Sequence, residues 1–320
     1  MKKIVTSWLW AALLFFAVSQ AQPETNGRPQ GETAPAGMSF LQALALGVVE
    51  GLTEYLPVSS TGHLLLAQKA MGISGGEDPS GESRLLKEAS DAYAVCIQGG
   101  AILAVLVLYR NRVRLMAKGL LGKSPQGLRL VFRLALAFFP AAVIGVLFEG
   151  PIKRHLFGPW PVVTAWFAGG VIILWFSGKS QGAFGKTRRE LEDLEWSGAL
   201  TIGLIQCLAM WPGVSRSLAT ILGGLVAGLS LGAAVEFSFL LGMLTLGAAT
   251  IYDGLTHGSL MARFFEPVSM ATGFGAAFFS AVLAVRWMVT YLQRHGLHIF
   301  GYYRIALSLA VSILLALGFI

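Results

Sequence analysis

Long apolar runs separated by short polar clusters organise this chain. Residues 92–109, 133–148, 160–177, 234–252, 267–289 and 301–320 each hold a nearly unbroken apolar stretch. About 20 apolar residues in a helix cover the hydrocarbon core of a bilayer, so the pattern predicts five or six transmembrane helices, 133–148 being the short one. Two further apolar segments do not read as single spans. Residues 38–73 contain Glu50 and Glu54, a break at Pro57 and the polar cluster Ser59-Ser60-Thr61-Gly62-His63. Residues 197–231 contain Gln206, a break at Pro212-Gly213, and then Ser215-Arg216-Ser217. Each predicts a re-entrant hairpin of two short helices, because non-helical backbone at that depth must be buried in protein or line a wet cavity.

The two hairpin segments also resemble each other. A shift of 156 residues lays Gly47 on Gly203, Glu50 on Gln206, Leu52 on Leu208, Val58 on Val214, Ser59 on Ser215 and Thr61 on Ser217. Three spans follow each segment. The expected fold is an all-α polytopic membrane protein with an inverted-topology repeat, about 38–178 and 197–320. Each half is a re-entrant helical hairpin plus three transmembrane helices. Such repeats place a site near mid-membrane, where the broken helices meet.

Composition agrees with this reading. The chain is 55% hydrophobic and only 13% charged, with a mean hydropathy of +0.66, whereas soluble domains carry roughly a quarter charged residues. One integral-membrane domain over 38–320 is expected. Cys96 and Cys207 lie in separate apolar runs and read as two free thiols. Residues 1–21 combine Lys2 and Lys3, an apolar stretch, and Ser19 and Ala21 at the spacing of a cleavage site. They read as a signal peptide or, if uncleaved, an N-terminal anchor. Residues 22–37, rich in Pro, Gly, Thr and Glu, read as a disordered linker.

The net charge of +7 matters through its distribution over loops, and it does not point to nucleic acid. Arg110, Arg112, Arg114, Lys118, Lys123, Arg129 and Arg133 crowd 110–133, while Lys179, Lys186, Arg188 and Arg189 crowd 178–195. The intervening 150–159 and 253–266 are poorer in Lys and Arg. The positive-inside bias puts 110–132 and 178–195 in the cytoplasm, and 74–91, 253–266 and the C-terminus outside. The first hairpin then enters from outside and the second from the cytoplasm.

Glu50 and Glu54, four apart, share one helix face. Ionisable groups inside a membrane segment are costly and mark function by default. The pair could hold a divalent cation through oxygen, or one carboxylate could hold a His or hydroxyl in a reactive state. Ser59, Ser60 and Thr61 follow the proline break where a new helix starts, a place that suits N-caps and attracts anions. With these neighbours, His63 reads as a proton-transfer or nucleophilic group. Arg216 opens the second returning helix, and its planar fork suits phosphate. Arginine and helix N-termini facing carboxylates and a Ser/His group read as phosphoryl transfer.

The motifs EGLTEYLPVSSTGH (50–63) and WPGVSRS (211–217), with Gln98-Gly99-Gly100, Gln206-Cys207-Leu208 and Glu236-Phe237-Ser238-Phe239-Leu240-Leu241, resemble those of the undecaprenyl-diphosphate phosphatase family, the bacitracin-resistance integral membrane phosphatases. The resemblance covers roughly 38–320. It implies hydrolysis of undecaprenyl diphosphate to undecaprenyl phosphate and inorganic phosphate at the outer face of the bacterial inner membrane, with a divalent cation (Mg or Ca). That activity recycles the carrier lipid of cell-wall synthesis and confers bacitracin resistance. The polyprenyl diphosphate lipid and the bilayer are the implied partners, with a homodimer left open.

The resemblance also assigns candidate roles. Glu50 and Glu54 become acid/base or cation-binding carboxylates, Ser60 and His63 candidates for nucleophile and partner, and Arg216 the phosphate clamp. Ser59, Thr61, Ser215, Ser217 and Thr220 would support binding. Leu218 stands where the family usually has Gly, and the extension 1–37 and the polar loop 74–91 are departures too. None removes a chemical group. An alternative is a transporter or flippase of a polyprenyl phosphate lipid, since broken-helix repeats are a transporter architecture. A lipid phosphatase of the acid-phosphatase type lacks its usual set of separated Arg and His motifs here.

Overall fold

A computed structural model describes residues 38–73, 81–180 and 189–318. The expected signal peptide (1–21) and linker (22–37) fall outside the described residues. Within them the chain forms α1 (Phe40–Thr53), α2 (Ser60–Ala70), α3 (Gly81–Leu108), α4 (Arg110–Leu120), α5 (Pro125–Leu156), α6 (Pro159–Ser180), α7 (Trp196–Gln206), α8 (Arg216–Val226), α9 (Leu231–Phe264), α10 (Pro267–His295) and α11 (His298–Ala316). Short 3-10 turns occupy Leu191–Asp193 and Cys207–Met210. Six helices, α3, α5, α6, α9, α10 and α11, are long and apolar enough to cross a membrane.

Length separates these spans from the hairpins. The 14 residues of α1 and the 11 of α2 rise about 21 and 17 Å, well short of a hydrocarbon core of about 30 Å. α7 and α8, at 11 residues each, are equally short. Helix starts are set by local chemistry. Ser39 and Gln42 form a capping box on α1, Ser124 caps α5 ahead of Pro125, and Ser230 caps α9. Each cap satisfies backbone donors that the first turn leaves free.

Two segments read as loops are helical. Residues 81–91 begin α3, and 253–264 continue α9. At 34 residues, α9 is about 51 Å long and extends past the hydrocarbon slab. Polar residues in its final turns, such as the Asp253–His257 pair at 3.2 Å, therefore end up on a helix. The basic segment after α3 likewise holds the short helix α4. Arg112 fixes it by donating through Nε to Glu236 at 2.6 Å and through Nη1 to Glu192 at 2.6 Å.

The repeat is visible in the packing. α1 lies chiefly against α10, and α7 against α5, so the first helix of each hairpin is received by the second span of the other half. α3 packs on α9, and α6 on α11. A Cβ at Gly47 would strike the carbonyl of Gly273, and one at Gly203 the carbonyl of Ala137. The glycine that the sequence repeats is the residue that admits each crossing.

The hairpin tips carry the same signature. Ser59 (φ 73°) and Ser215 (φ 76°) are the only non-glycine residues with positive φ among those described, and they are 156 positions apart. Each strained conformation costs on the order of 1–3 kcal/mol and persists only where its surroundings over-determine it. Arg304, fully buried on α11, supplies the restraint. It donates to the carbonyl of Pro57 at 3.2 Å in one tip and of Gly213 at 2.7 Å in the other, and to Ala165 and Trp166 on α6. Pro57 and Gly213 are again repeat equivalents.

Candidate active site

The two tips meet around a cavity of about 240 Å³ lined by Glu54, Ser59, Ser60, Thr61, Ser215 and Arg216, with Gln98, Gln206 and Thr245 completing its polar wall. Ser60 is the first residue of α2 and Arg216 the first of α8. The N-termini of two helices from opposite repeats therefore converge on one space. Their free N–H groups and dipole ends favour an anion. Ser59 makes no side-chain cap on α2, so those N–H groups stay available. On α8 the Ser215 hydroxyl accepts from Leu218 N at 3.3 Å.

Glu54 sits at the centre. Its Oε2 accepts a hydrogen bond from the Ser60 hydroxyl, and its Oε1 accepts from Arg216 Nη2 at 3.1 Å. Arg216 also donates through Nη1 to the Ser238 carbonyl at 3.0 Å, and its Cζ lies 5.6 Å from the centroid of the Tyr55 ring. Two of its five N–H groups are thus used by protein, and Nε has no partner among the described residues. Gly242 on α9 faces the guanidinium so closely that any Cβ there would overlap it.

The remaining hydroxyls work behind the cavity. Ser217 donates to the Leu56 carbonyl at 2.8 Å and lies 3.0 Å from the Ser215 hydroxyl, tying α8 to the first tip. Thr220 donates to the Arg216 carbonyl at 2.9 Å and pairs with the Ser238 hydroxyl at 2.6 Å. Ser217 and Thr220 thus brace the ends of the arginine's setting without lining the cavity.

Glu50, one turn before Glu54, is fully buried, and no described donor reaches either of its oxygens. Its repeat equivalent Gln206 is also buried with its amide unpaired. A carboxylate so placed needs a proton or a counter-charge.

His63 is engaged elsewhere. Its Nδ1 lies 2.7 Å from the Ser59 carbonyl and its Nε2 lies 2.7 Å from the Tyr303 hydroxyl. A carbonyl only accepts, so Nδ1 carries the proton, and Nε2 accepts from Tyr303. The two rings are nearly parallel, with centroids 5.8 Å apart. The Ser60 hydroxyl donates to Glu54 and not to His63, and His63 fixes the backbone of the strained residue beside it.

Several residues around the site carry only a weak signal in the sequence. Gln98 enters the sequence reading only within a family motif and Gln206 only as a hairpin, repeat and motif position, while Thr245, Tyr303 and Arg304 carry no motif. Gln206 was signalled by its register with Glu50. Arg304 is signalled by its place within an apolar run, where an ionisable residue is functional by default, although none of the motifs includes it. Nothing in the sequence marks Thr245.

The family model described as "Bacitracin resistance protein BacA" matches residues 43–310. The chain is similar to the "Undecaprenyl-diphosphatase" of Sorangium cellulosum (strain So ce56), 42% identical over 86% of this chain and 86% of the relative. It is similar to the "Undecaprenyl-diphosphatase 2" of Rhodospirillum rubrum, 44% identical over 85% of this chain and 93% of the relative. The corresponding protein of Methylococcus capsulatus is also 44% identical, over 85% and 93%. With the family model reaching from the first hairpin into the last span, this chain is a member of the bacitracin resistance protein BacA family.

Proposed function

We propose that the cavity hydrolyses undecaprenyl diphosphate to undecaprenyl phosphate and inorganic phosphate. The observation that carries this reading is the Ser60–Glu54–Arg216 chain of hydrogen bonds, set where two helix N-termini meet. The Ser60 oxygen attacks the terminal phosphorus while its proton passes to Glu54, a base already in hydrogen-bond contact. The bond from phosphorus to the bridging oxygen breaks, and undecaprenyl phosphate leaves with that oxygen. Glu54 gives that proton up as the first product leaves; water then attacks the phosphoserine and passes a proton to Glu54, which returns it to the departing Ser60 oxygen as inorganic phosphate is released. The free N–H groups of Arg216 and α2 bind the non-bridging oxygens, whose charge grows as the bond breaks.

Glu50 supports a divalent cation, Mg or Ca. Its unpaired carboxylate together with Glu54 offers oxygen ligands, and the diphosphate would supply more, as is usual for Mg. When bound, the cation would neutralise charge on the diphosphate. His63 acts as a positioning residue, and Ser59, Thr61 and Ser215 as cavity-wall donors. The positive-inside bias supports an inner-membrane protein whose site opens to the outer face.

Phosphate release from undecaprenyl diphosphate by the purified protein in detergent tests the reading. Wild type releases phosphate, and Glu54→Gln, which keeps the shape but removes the base, loses it by about 10²-fold or more. No release by wild type would favour transport of the lipid instead.

A further inference from the structure

Away from the active site, at the end that carries α4, the first turns of α5 and α7 border a second cavity of about 580 Å³. Leu128, Arg129, Phe132, Arg133, Glu195 and Trp196 contribute to its lining. Arg129 and Arg133 are one helical turn apart on the same face of α5. The lining's carboxylate, Glu195, is already taken by Arg189 at 2.9 Å. Arg133 donates through Nη1 to the Leu191 carbonyl at 3.3 Å. Among the described residues no carboxylate pairs with Arg129, which is exposed. Two like charges one turn apart repel. Asp193 and Glu192 act on Arg133, which leaves Arg129 as the cation of the pair that no described carboxylate contacts.

The walls beside these cations are apolar and uncovered. Phe132 is 61% exposed and Trp196 66%, and Trp196 opens a membrane-embedded helix, the depth at which tryptophan marks the interface. Exposed Arg114, Lys118 and Lys123 extend the positive field. The repeat sharpens the point. Because Gly47 meets Gly273 and its repeat equivalent Gly203 meets Ala137, the second spans match with Ala137 on Gly273. That match lays Arg129 on Phe265 and Arg133 on Ser269, both buried. The opposite end of the molecule therefore lacks this arginine pair, and the pair is not a by-product of the repeat.

We propose that this cavity binds an anionic phospholipid, its phosphate on Arg129 and Arg133 and an acyl chain along Phe132 and Trp196. Charge complementarity and the apolar walls together select a lipid over a free anion. The bound lipid bridges α5 of one repeat to α7 of the other.

Native mass spectrometry and thermal melting of the full-length protein in detergent test this. The additions are phosphatidylglycerol, phosphatidylcholine or glycerol phosphate, with wild type, Arg129→Gln and Trp196→Ala. Phosphatidylglycerol is expected to stay bound and to raise the melting temperature, while the other two do neither. Arg129→Gln, which leaves the Leu191 contact intact, should retain the lipid about tenfold more weakly, with phosphatase activity in detergent unchanged. Equal retention of both phospholipids overturns the proposal. So does undiminished binding by Arg129→Gln, or stabilisation by glycerol phosphate alone.

Discussion

In the proposed mechanism Ser60, Glu54 and Arg216 divide the work of phosphoryl transfer among attack, proton acceptance and charge stabilisation. Arg216 acts through its planar fork, which serves Glu54, Ser238 and the cavity at once. Arg216→Lys keeps the charge but loses that geometry, so phosphate release should fall by about 10²-fold or more. Gly242→Ala tests the same group without touching it. A Cβ there displaces the guanidinium, so turnover should drop while the helical circular dichroism signal and detergent-gel profile stay those of wild type. Glu50→Gln should raise the cation concentration needed for half-maximal rate, since an amide is a poorer ligand for a hard cation than a carboxylate. A titration of rate against Mg reads this directly. The residue types of this site were legible in the sequence because Glu, His and Arg are costly in apolar segments. Their pairing was not, since spacing alone left the Ser60 hydroxyl open to either Glu54 or His63. Only the turn at the tip decides that Glu54 faces Ser60 while His63 folds back onto the Ser59 carbonyl.

At the scale of elements, two strained tips are held by one buried side chain. Arg304→Met removes donors from carbonyls of both tips and of α6. The loss leaves buried carbonyls without donors, each costing on the order of 1–3 kcal/mol, and should be visible as a lower melting temperature. A second element-level contact docks α4 through Arg112. The Arg112 hydrogen bond holds the Glu192 carboxyl below its ordinary value, against the opposing effect of its modest burial. A carboxylate lowered on folding stabilises above its unfolded pKa, and the effect vanishes as pH falls through the folded value. Wild type should therefore melt above Glu192→Gln at neutral pH, with the gap closing as pH drops below the usual glutamate range. Element positions were largely readable from the breaks at Pro57 and Pro212-Gly213. Helix ends were not. Polar residues 81–91 and 253–264 looked like loops because hydropathy reports membrane depth, whereas a helix can continue past the bilayer into water.

The whole molecule is two inverted halves whose hairpins are exchanged, α1 lying against α10 and α7 against α5. The sequence carried this in the 156-residue shift, because the crossings demand Gly47 and Gly203 and the tips place serine at both turns. The Lys/Arg bias of the loops predicts sidedness. Cysteine placed at Gly122, beyond α4, should be shielded from an impermeant reagent in whole cells, while cysteine at Gly158, between α5 and α6, should react. The reverse pattern would turn the protein over in the membrane. The chemistry of the cavity rests on Ser60 taking the phosphoryl group. Rapid acid quench of the protein turning over undecaprenyl diphosphate, followed by peptide mass spectrometry, reads this most directly. One phosphoryl group should appear on Ser60 during turnover and be absent from Ser60→Ala, which should be inactive. Full activity in Ser60→Ala, or a phosphoryl group carried by His63 instead, would contradict the account.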